Sequence, residues 1–186
     1  LRETLVVAVF GAAFAVLYLA WVQVWLVSQA VFGPVTMDVF MGFWFSASIV
    51  AAAIIRKPGV ALMAEVLAAG IEILLGSPAG LGLLIAAVVQ GLGAELVFAA
   101  LGWKHYRLPV LIAAGMGAAV TSFIYNWFLF DYGALEPWLV GAMFVIRLIS
   151  GALLAGVLGH LIVEALYRTG VLRGLRIDIE RRGAGL

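Results

Sequence analysis

Four charged residues, Glu65, Glu72, Glu95 and Arg147, lie inside long apolar stretches of the sequence. A charged side chain at the centre of a bilayer costs about 3 kcal/mol or more, so such groups face other helices or a wet cavity. Glu65 and Glu72 are seven residues apart, and on a helix this spacing puts both carboxylates on one face. These residue types indicate either an interhelical ion-pair network or a binding site for a cationic solute.

Depth along the helices distinguishes the buried polar groups. With a rise of about 1.5 Å per residue, Glu65, Gln90 and Arg147 come out near the bilayer midplane. Equal depth predicts that Arg147 offsets the charge of Glu65 in a structural polar network, to which we also assign Glu95, nearer the cytoplasm. Glu72 lies about four residues from the outer end of its helix, where the sequence offers no cation. An unpaired carboxylate at that depth is either exposed to water or ready to bind a positive ligand.

Aromatic residues gather on the same outer side of the membrane. An aromatic belt would populate both interfaces, but five of the six tryptophans map to the outer half: Trp21, Trp25, Trp44, Trp127 and Trp138. Aromatic planes around an outer carboxylate suit a flat cationic heteroaromatic ligand, through stacking and cation–π attraction. Anchoring of the individual tryptophans in the interface is the alternative interpretation.

The chain that must position these residues is 186 residues long, 66% hydrophobic, 11% charged and free of cysteine. This composition excludes a water-soluble globule, disulfides and thiolate metal sites. Turn signals divide the sequence into six apolar stretches, followed by a polar tail at 169–186: about 5–27, 37–55, 60–75, 81–103, 109–130 and 137–168. We therefore predict a single integral membrane domain, an all-α compact bundle of six transmembrane helices.

The charges predict the orientation of this bundle. Ten of the eleven cations fall on one side of the six-helix arrangement, whereas the opposite loops carry Asp38, Asp131 and Glu136 and no cation. Because Lys and Arg are retained on the cytoplasmic side, both termini are predicted to be cytoplasmic. We expect no metal site, since two distant histidines without cysteine do not form a ligand cluster easily. No phosphate-binding loop motif for ATP occurs.

Two further function classes remain open from the residues. A stand-alone proton-coupled or secondary transporter of a small cationic heteroaromatic solute would use Glu65, Glu95 and Arg147 as a relay. Against it, the sequence has no inverted repeat and no helix broken by Gly or Pro at midmembrane depth. An intramembrane enzyme would need a catalytic pair, and Ser150 and His160 lie roughly 15 Å apart along one helix, too far for a dyad. We expect no catalytic residue.

Three segments of the sequence resemble the YkoE family: RKPGVALMAE (56–65), EILLGS (72–77) and QGLGAEL (90–96). Members of this family are S components, the substrate-binding subunits of energy-coupling factor (ECF) vitamin transporters, associated with thiamine or its hydroxymethylpyrimidine precursor. The resemblance implies a six-helix bundle in a bacterial plasma membrane, with the vitamin held near the extracellular surface. It also implies two kinds of partner, a transmembrane coupling protein and cytoplasmic ATPase subunits. ATP would be used by those partners only, so this chain would need no cofactor and no nucleic acid.

The resemblance also implies roles for individual residues. Glu72 would balance the positive charge of the ligand, and Gln90 and Asn126 would hydrogen-bond its aminopyrimidine edge. Stacking is expected from Trp44, Trp127 and either Trp21 or Trp25. Only Glu72 and Gln90 rest on the matched segments, and the other assignments rest on depth and chemistry.

Such S components dock their partner through small residues on the first helix. The corresponding positions here are Ala8, Gly11, Ala12 and Ala15. Small residues at this spacing permit close approach between membrane helices. Packing inside the bundle is the alternative explanation for them.

Overall fold

The structure is a computed structural model that describes residues 2–33 and 35–183. Residue 1, Pro34 of the predicted first turn and residues 184–186 of the predicted tail lie outside the described residues. All regular elements in the described part are helical, which confirms the all-α prediction. Their bounds are α1 (Arg2–Phe32), α2 (Thr36–Phe40), α3 (Ser46–Ile55), α4 (Val60–Leu74), α5 (Gly82–Ala100), α6 (Leu108–Leu129), α7 (Pro137–Ser150), α8 (Leu158–Arg168) and α9 (Arg176–Gly183).

Five helical segments are long and apolar enough to cross a membrane: Thr4–Phe32, Thr36–Ile55, Gly82–Ala100, Leu108–Leu129 and Pro137–Arg168. They correspond to five of the six predicted apolar stretches. The sixth stretch is α4, whose 15 residues span about 22 Å, less than the ~30 Å of a bilayer core.

Helix α3 forms the centre of the bundle. All ten of its residues are buried, and it contacts α1, α4, α6, α8 and α9. Its sequence, SASIVAAAII, is apolar or small on every side, which is the pattern of a helix enclosed by others. The other helices therefore surround α3 and hold their inward side chains in fixed positions.

Two irregular segments interrupt the long predicted helices where backbones touch. A 3₁₀-helix at Met41–Phe45 joins α2 to α3, and a π-helical segment at Gly151–Val157 joins α7 to α8. A Cβ added to Gly42 would lie 2.1 Å from the carbonyl oxygen of Ser150. The Gly42 N–H donates a hydrogen bond to the Ser150 hydroxyl over 2.9 Å. This close approach requires glycine and accompanies the change in helical winding on both sides.

Both ends of the chain are more helical than the sequence predicted. Helix α1 continues through Ser28, whose hydroxyl donates to the Val24 carbonyl within the same helix, and reaches Phe32. The predicted polar tail contains α9, which packs against α3. Burial of Leu172, Leu175 and Ile177 explains this docking, because these apolar side chains are interspersed among the charges of the tail.

Candidate functional site

A cavity of about 590 Å³ lies at the end of the bundle where α4 turns into α5 and where α6 ends. Clefts of this size, apolar with a few convergent polar groups, are typical of small-molecule sites. The polar and aromatic groups of the wall come from α1, α4, α5, the end of α6 and the 3₁₀-helix Met41–Phe45. They include Tyr18, Trp25, Trp44, Glu65, Glu72, Gln90, Tyr125, Asn126 and Phe130. Five of the seven predicted ligand-binding residues are therefore brought together in one cavity.

Glu72 is the wall residue with the least compensated charge. Its side chain is only 1% exposed. One carboxylate oxygen, Oε1, accepts a hydrogen bond of 3.0 Å from the Ser77 hydroxyl, and Oε2 has no hydrogen-bond partner in the described structure. None of the ion pairs found among the described residues involves this carboxylate. A buried and unneutralised carboxylate is costly, and a cation in the cavity would offset that cost.

Glu65 projects into the same cavity from the same face of α4, as its spacing predicted. Its Oε2 accepts hydrogen bonds from the Ser48 backbone N–H at 3.1 Å and from the Ser48 hydroxyl at 2.8 Å. The predicted charge pair between Glu65 and Arg147 is wrong. Arg147 is bound elsewhere, so α3 rather than α7 supplies the partner of Glu65.

Arg147 forms a buried ion pair with Asp38. The Nε atom donates to Asp38 Oδ1 over 2.7 Å, Nη2 lies 2.5 Å from the same oxygen, and both side chains are fully buried. Asp38 was expected in an acidic outer loop, and this expectation is wrong because α2 turns its carboxylate inward toward α7. Ser122 and Tyr132 receive longer hydrogen bonds from the guanidinium. The pair connects α2 with α7 behind the cavity.

Asn126 connects this ion pair with the cavity. Because a guanidinium only donates hydrogen bonds, the amide of Asn126 is best oriented with its oxygen toward Arg147. That oxygen then accepts from Nη1 at 3.0 Å and from Nη2 at 3.2 Å. The amino group of Asn126 is left as a donor. Arg147 thus acts on the site indirectly, through the orientation of an amide in its wall.

Gln90 reaches the cavity from α5 and is 8% exposed. Among the described residues, no hydrogen bond to its side-chain amide is found. An amide offers both a donor and an acceptor, so Gln90 is suited to a ligand edge that carries both.

The four tryptophans predicted to stack on a ligand divide into two that line the cavity and two that do not. Trp25 and Trp44 line the cavity as an edge-to-face pair with ring centroids 6.2 Å apart, and the indole N–H of Trp25 is buried without a partner. Trp21 and Trp127 do not line the cavity. The Trp21 indole N–H donates to the Phe40 carbonyl over 3.0 Å, and Trp127 is 40% exposed on the outside of α6.

Sequence reasoning missed Tyr18, whose ring lines the cavity beside Glu65. Its hydroxyl accepts a hydrogen bond of 2.9 Å from the Ala47 N–H, which fixes the ring against α3. The signal was present in the sequence, because Tyr18, Val22 and Trp25 follow one another at helical spacings of four and three.

Glu95 is structural, and it lies apart from both Glu65 and Arg147. Its carboxylate accepts hydrogen bonds from the backbone N–H groups of Gly59 (2.7 Å) and Ala61 (3.0 Å) and from the Trp103 indole (2.6 Å). It therefore caps the N-terminus of α4 from a neighbouring helix, where a negative charge is favourable. The predicted single polar network is replaced by three separate sets of contacts.

The small residues of α1 are divided between two environments. Gly11 and Ala15 are buried, and a Cβ on Gly11 would lie 3.0 Å from the Cβ of Leu67 on α4. Ala8 and Ala12 are exposed. Of the four predicted docking positions, these two alanines are the exposed ones. As for metals, the described residues contain no group of three or more His, Asp or Glu side chains that could hold an ion.

Three comparisons with known proteins all match components of membrane transport systems. Residues 2–121 match the family described as "ABC-type cobalt transport system, permease component". The chain is 48% identical over 179 residues to YkoE of Bacillus subtilis (strain 168), a protein named as an HMP/thiamine permease, with 96% of this chain and 90% of that protein covered. A crystal structure of an S component of an ECF transporter superposes with a TM-score of 0.95 at 46% identity, covering 99% of this chain and 93% of the other.

Proposed function

The chain belongs to the YkoE family of ECF-transporter S components, and we propose that it binds thiamine, or its hydroxymethylpyrimidine moiety, from the outer side of the membrane. It is a multi-pass protein of the bacterial plasma membrane, and its relatives are permease components rather than enzymes. The observation that carries the choice of ligand is the buried carboxylate of Glu72 in an aromatic cavity without a compensating cation.

Each ligand group has a matching group in the cavity wall. The thiazolium of thiamine carries a permanent positive charge, which Glu72 would neutralise. Trp25 and Trp44 offer ring faces and edges for the two heterocycles. Gln90 and the amino group of Asn126 would bind the aminopyrimidine edge. A phosphorylated ligand is disfavoured, because the described residues that line this cavity include no cation.

We further propose six membrane crossings, with α4 as the sixth, and both termini in the cytoplasm. Glu72 lies near the end of α4, whereas Arg56 ends α3 at the turn that leads into the start of α4. The cationic loops and α9 lie at that second end. The positive-inside rule supports a cytoplasmic location for this end and an outer location for the cavity.

Energy for transport would come from partners, a transmembrane coupling protein and ATPase subunits, and not from a cofactor bound by this chain. Of the four predicted docking residues, the exposed Ala8 and Ala12 on α1 are the ones that would contact such a partner. Gly11 and Ala15 are left out of that surface because both are buried, Gly11 against Leu67 of α4.

Titration of the purified chain tests the ligand assignment. We expect thiamine and hydroxymethylpyrimidine to quench tryptophan fluorescence through Trp25 and Trp44, with thiamine phosphate binding more weakly. Glu72→Gln should weaken thiamine binding by about 2 kcal/mol, roughly 25-fold in Kd. Binding of the neutral hydroxymethylpyrimidine should weaken much less in this variant. Glu136→Gln, which removes a carboxylate outside the cavity, serves as the control. Equal losses for both ligands would contradict charge neutralisation by Glu72.

A further inference from the structure

A second cavity, of about 520 Å³, lies at the opposite end of the bundle from the vitamin site. Four parts of the chain form its wall: the end of α3, the loop before α6, α8 and α9. The wall contains four residues that carry a positive charge and two histidines: Arg56, Lys104, Arg107, Arg181, His105 and His160. Among the described residues that line it, Glu180 is the single acidic one. We propose that this basic cavity binds a phosphate group.

Ion pairs account for only part of the positive charge. Arg56 donates to Glu180 over 2.6 Å, and Arg181 is held by Glu164 through two hydrogen bonds, one of 3.0 Å. Lys104 and Arg107 lie in one short loop, and neither has an acidic partner among the described residues. Like charges held together are unfavourable, and a bound anion would convert this repulsion into attraction.

A neutral donor stands beside these cations. The side chain of Tyr106 is 8% exposed, and its hydroxyl is buried without a hydrogen-bond partner in the described structure. Burial raises the pKa of Tyr106 to about 12, so the hydroxyl stays protonated and can donate. The guanidinium carbon of Arg56 lies 5.4 Å above the centre of the same ring. Tyr106 shares the cavity wall with the unpaired Lys104 and Arg107, and an anionic oxygen would supply the acceptor that this donor and these cations lack.

The start of α6 adds to the positive field. Arg107 and Leu108 line the cavity at the first turn of this 22-residue helix, where the helix dipole favours an anion. The cavity is larger than a phosphate ion needs, so it has room for the group that carries the phosphate. That group is either the headgroup of an anionic phospholipid or a soluble phosphate ester, and both present the same chemistry.

Binding measurements on the full chain test the proposal with three probes: inorganic phosphate, nanodiscs of phosphatidylcholine, and the same nanodiscs containing phosphatidylglycerol. We expect Lys104→Gln and Arg107→Gln each to weaken binding about fivefold, the equivalent of about 1 kcal/mol per cation. Arg168→Gln removes an exposed charge at the same end but outside the cavity wall. This control variant should weaken binding much less.

Tyr106→Phe supplies a variant without any change in charge. It should weaken anion binding severalfold while leaving the thermal stability of the ligand-free protein unchanged or higher, because an unsatisfied buried hydroxyl is removed. Thiamine quenching at the other cavity reports whether each variant is folded.

The probes distinguish the two sources of phosphate. If phosphatidylglycerol binds and inorganic phosphate does not, the ligand is a lipid headgroup. If inorganic phosphate binds as well, the site is open to soluble phosphate esters. The proposal is overturned if neither anion binds more tightly than phosphatidylcholine. It is equally overturned if Arg168→Gln weakens binding as much as Arg107→Gln does.

Discussion

Breaking the buried ion pair between Asp38 and Arg147 should destabilise the fold strongly. Both side chains are fully buried, and the two contacts between them are 2.5 and 2.7 Å long. Removing one partner of such a pair typically costs 3–5 kcal/mol, because the other charge is left without compensation. Asp38→Asn keeps a hydrogen-bonding oxygen near Arg147, so we expect a loss of about 3 kcal/mol in the free energy of unfolding.

A double-mutant cycle would measure the coupling energy between Asp38 and Arg147. Unfolding would be followed in mixed micelles for Asp38→Asn, Arg147→Met and the double variant. We expect a coupling energy of about 2 kcal/mol, since Arg147→Met removes the charge that Asp38 compensates. A parallel cycle with Glu65→Gln and Arg147→Met should be additive within about 0.5 kcal/mol. Coupling between Glu65 and Arg147, without coupling to Asp38, would refute the observed pairing.

Three further predictions concern other parts of the molecule. Glu95→Gln should weaken the cap of α4 by about 1 kcal/mol and speed hydrogen exchange at the Gly59 and Ala61 amides; unchanged exchange would contradict the capping role. Gly11→Leu should disrupt the contact between α1 and α4 and lower thermal stability, whereas Ala12→Leu should leave stability and thiamine binding intact and reduce co-purification with an ECF module. The Gly174 backbone N–H and, less strongly, Arg182 hold the pKa of Asp178 below its usual value. Its contribution to docking α9 is therefore present above the unfolded-state pKa, about 4, and lost as pH falls further, which exchange of the α9 amides would report; docking unaffected by acid would exclude this role.

Much of the polar lining of the candidate cavity was predictable from the sequence. Glu72 was identified as an unpaired carboxylate, open either to water or to a positive ligand, because no cation occurs at its depth, and Gln90 followed from the matched segments. Spacing alone put Glu65 and Glu72 on one face of α4, and the cavity contains both. Such inferences succeed because charged groups in an apolar chain are rare and costly, so each has few possible environments.

The rotation of the helices was not predictable. Trp21 and Trp25 are four residues apart on α1, yet only Trp25 lines the cavity. Helix α1 is apolar on all sides, so its sequence gives no preference for one face, and the lipid-facing side resembles the buried side. For the same reason the sequence could not tell that Gly11 packs against Leu67 of α4 inside the bundle.

By itself the sequence determined the all-helical membrane architecture, the polarity of charge between the two ends and the identity of the uncompensated carboxylate. Only the tertiary structure decided that Arg147 pairs with Asp38 rather than with Glu65, and that α9 forms part of the wall of a basic cavity. Depth along a helix is fixed by counting residues, because the rise per residue is constant. Which side chains meet at a given depth depends on helix rotation and on short segments such as α2, and these are set by packing between distant parts of the chain.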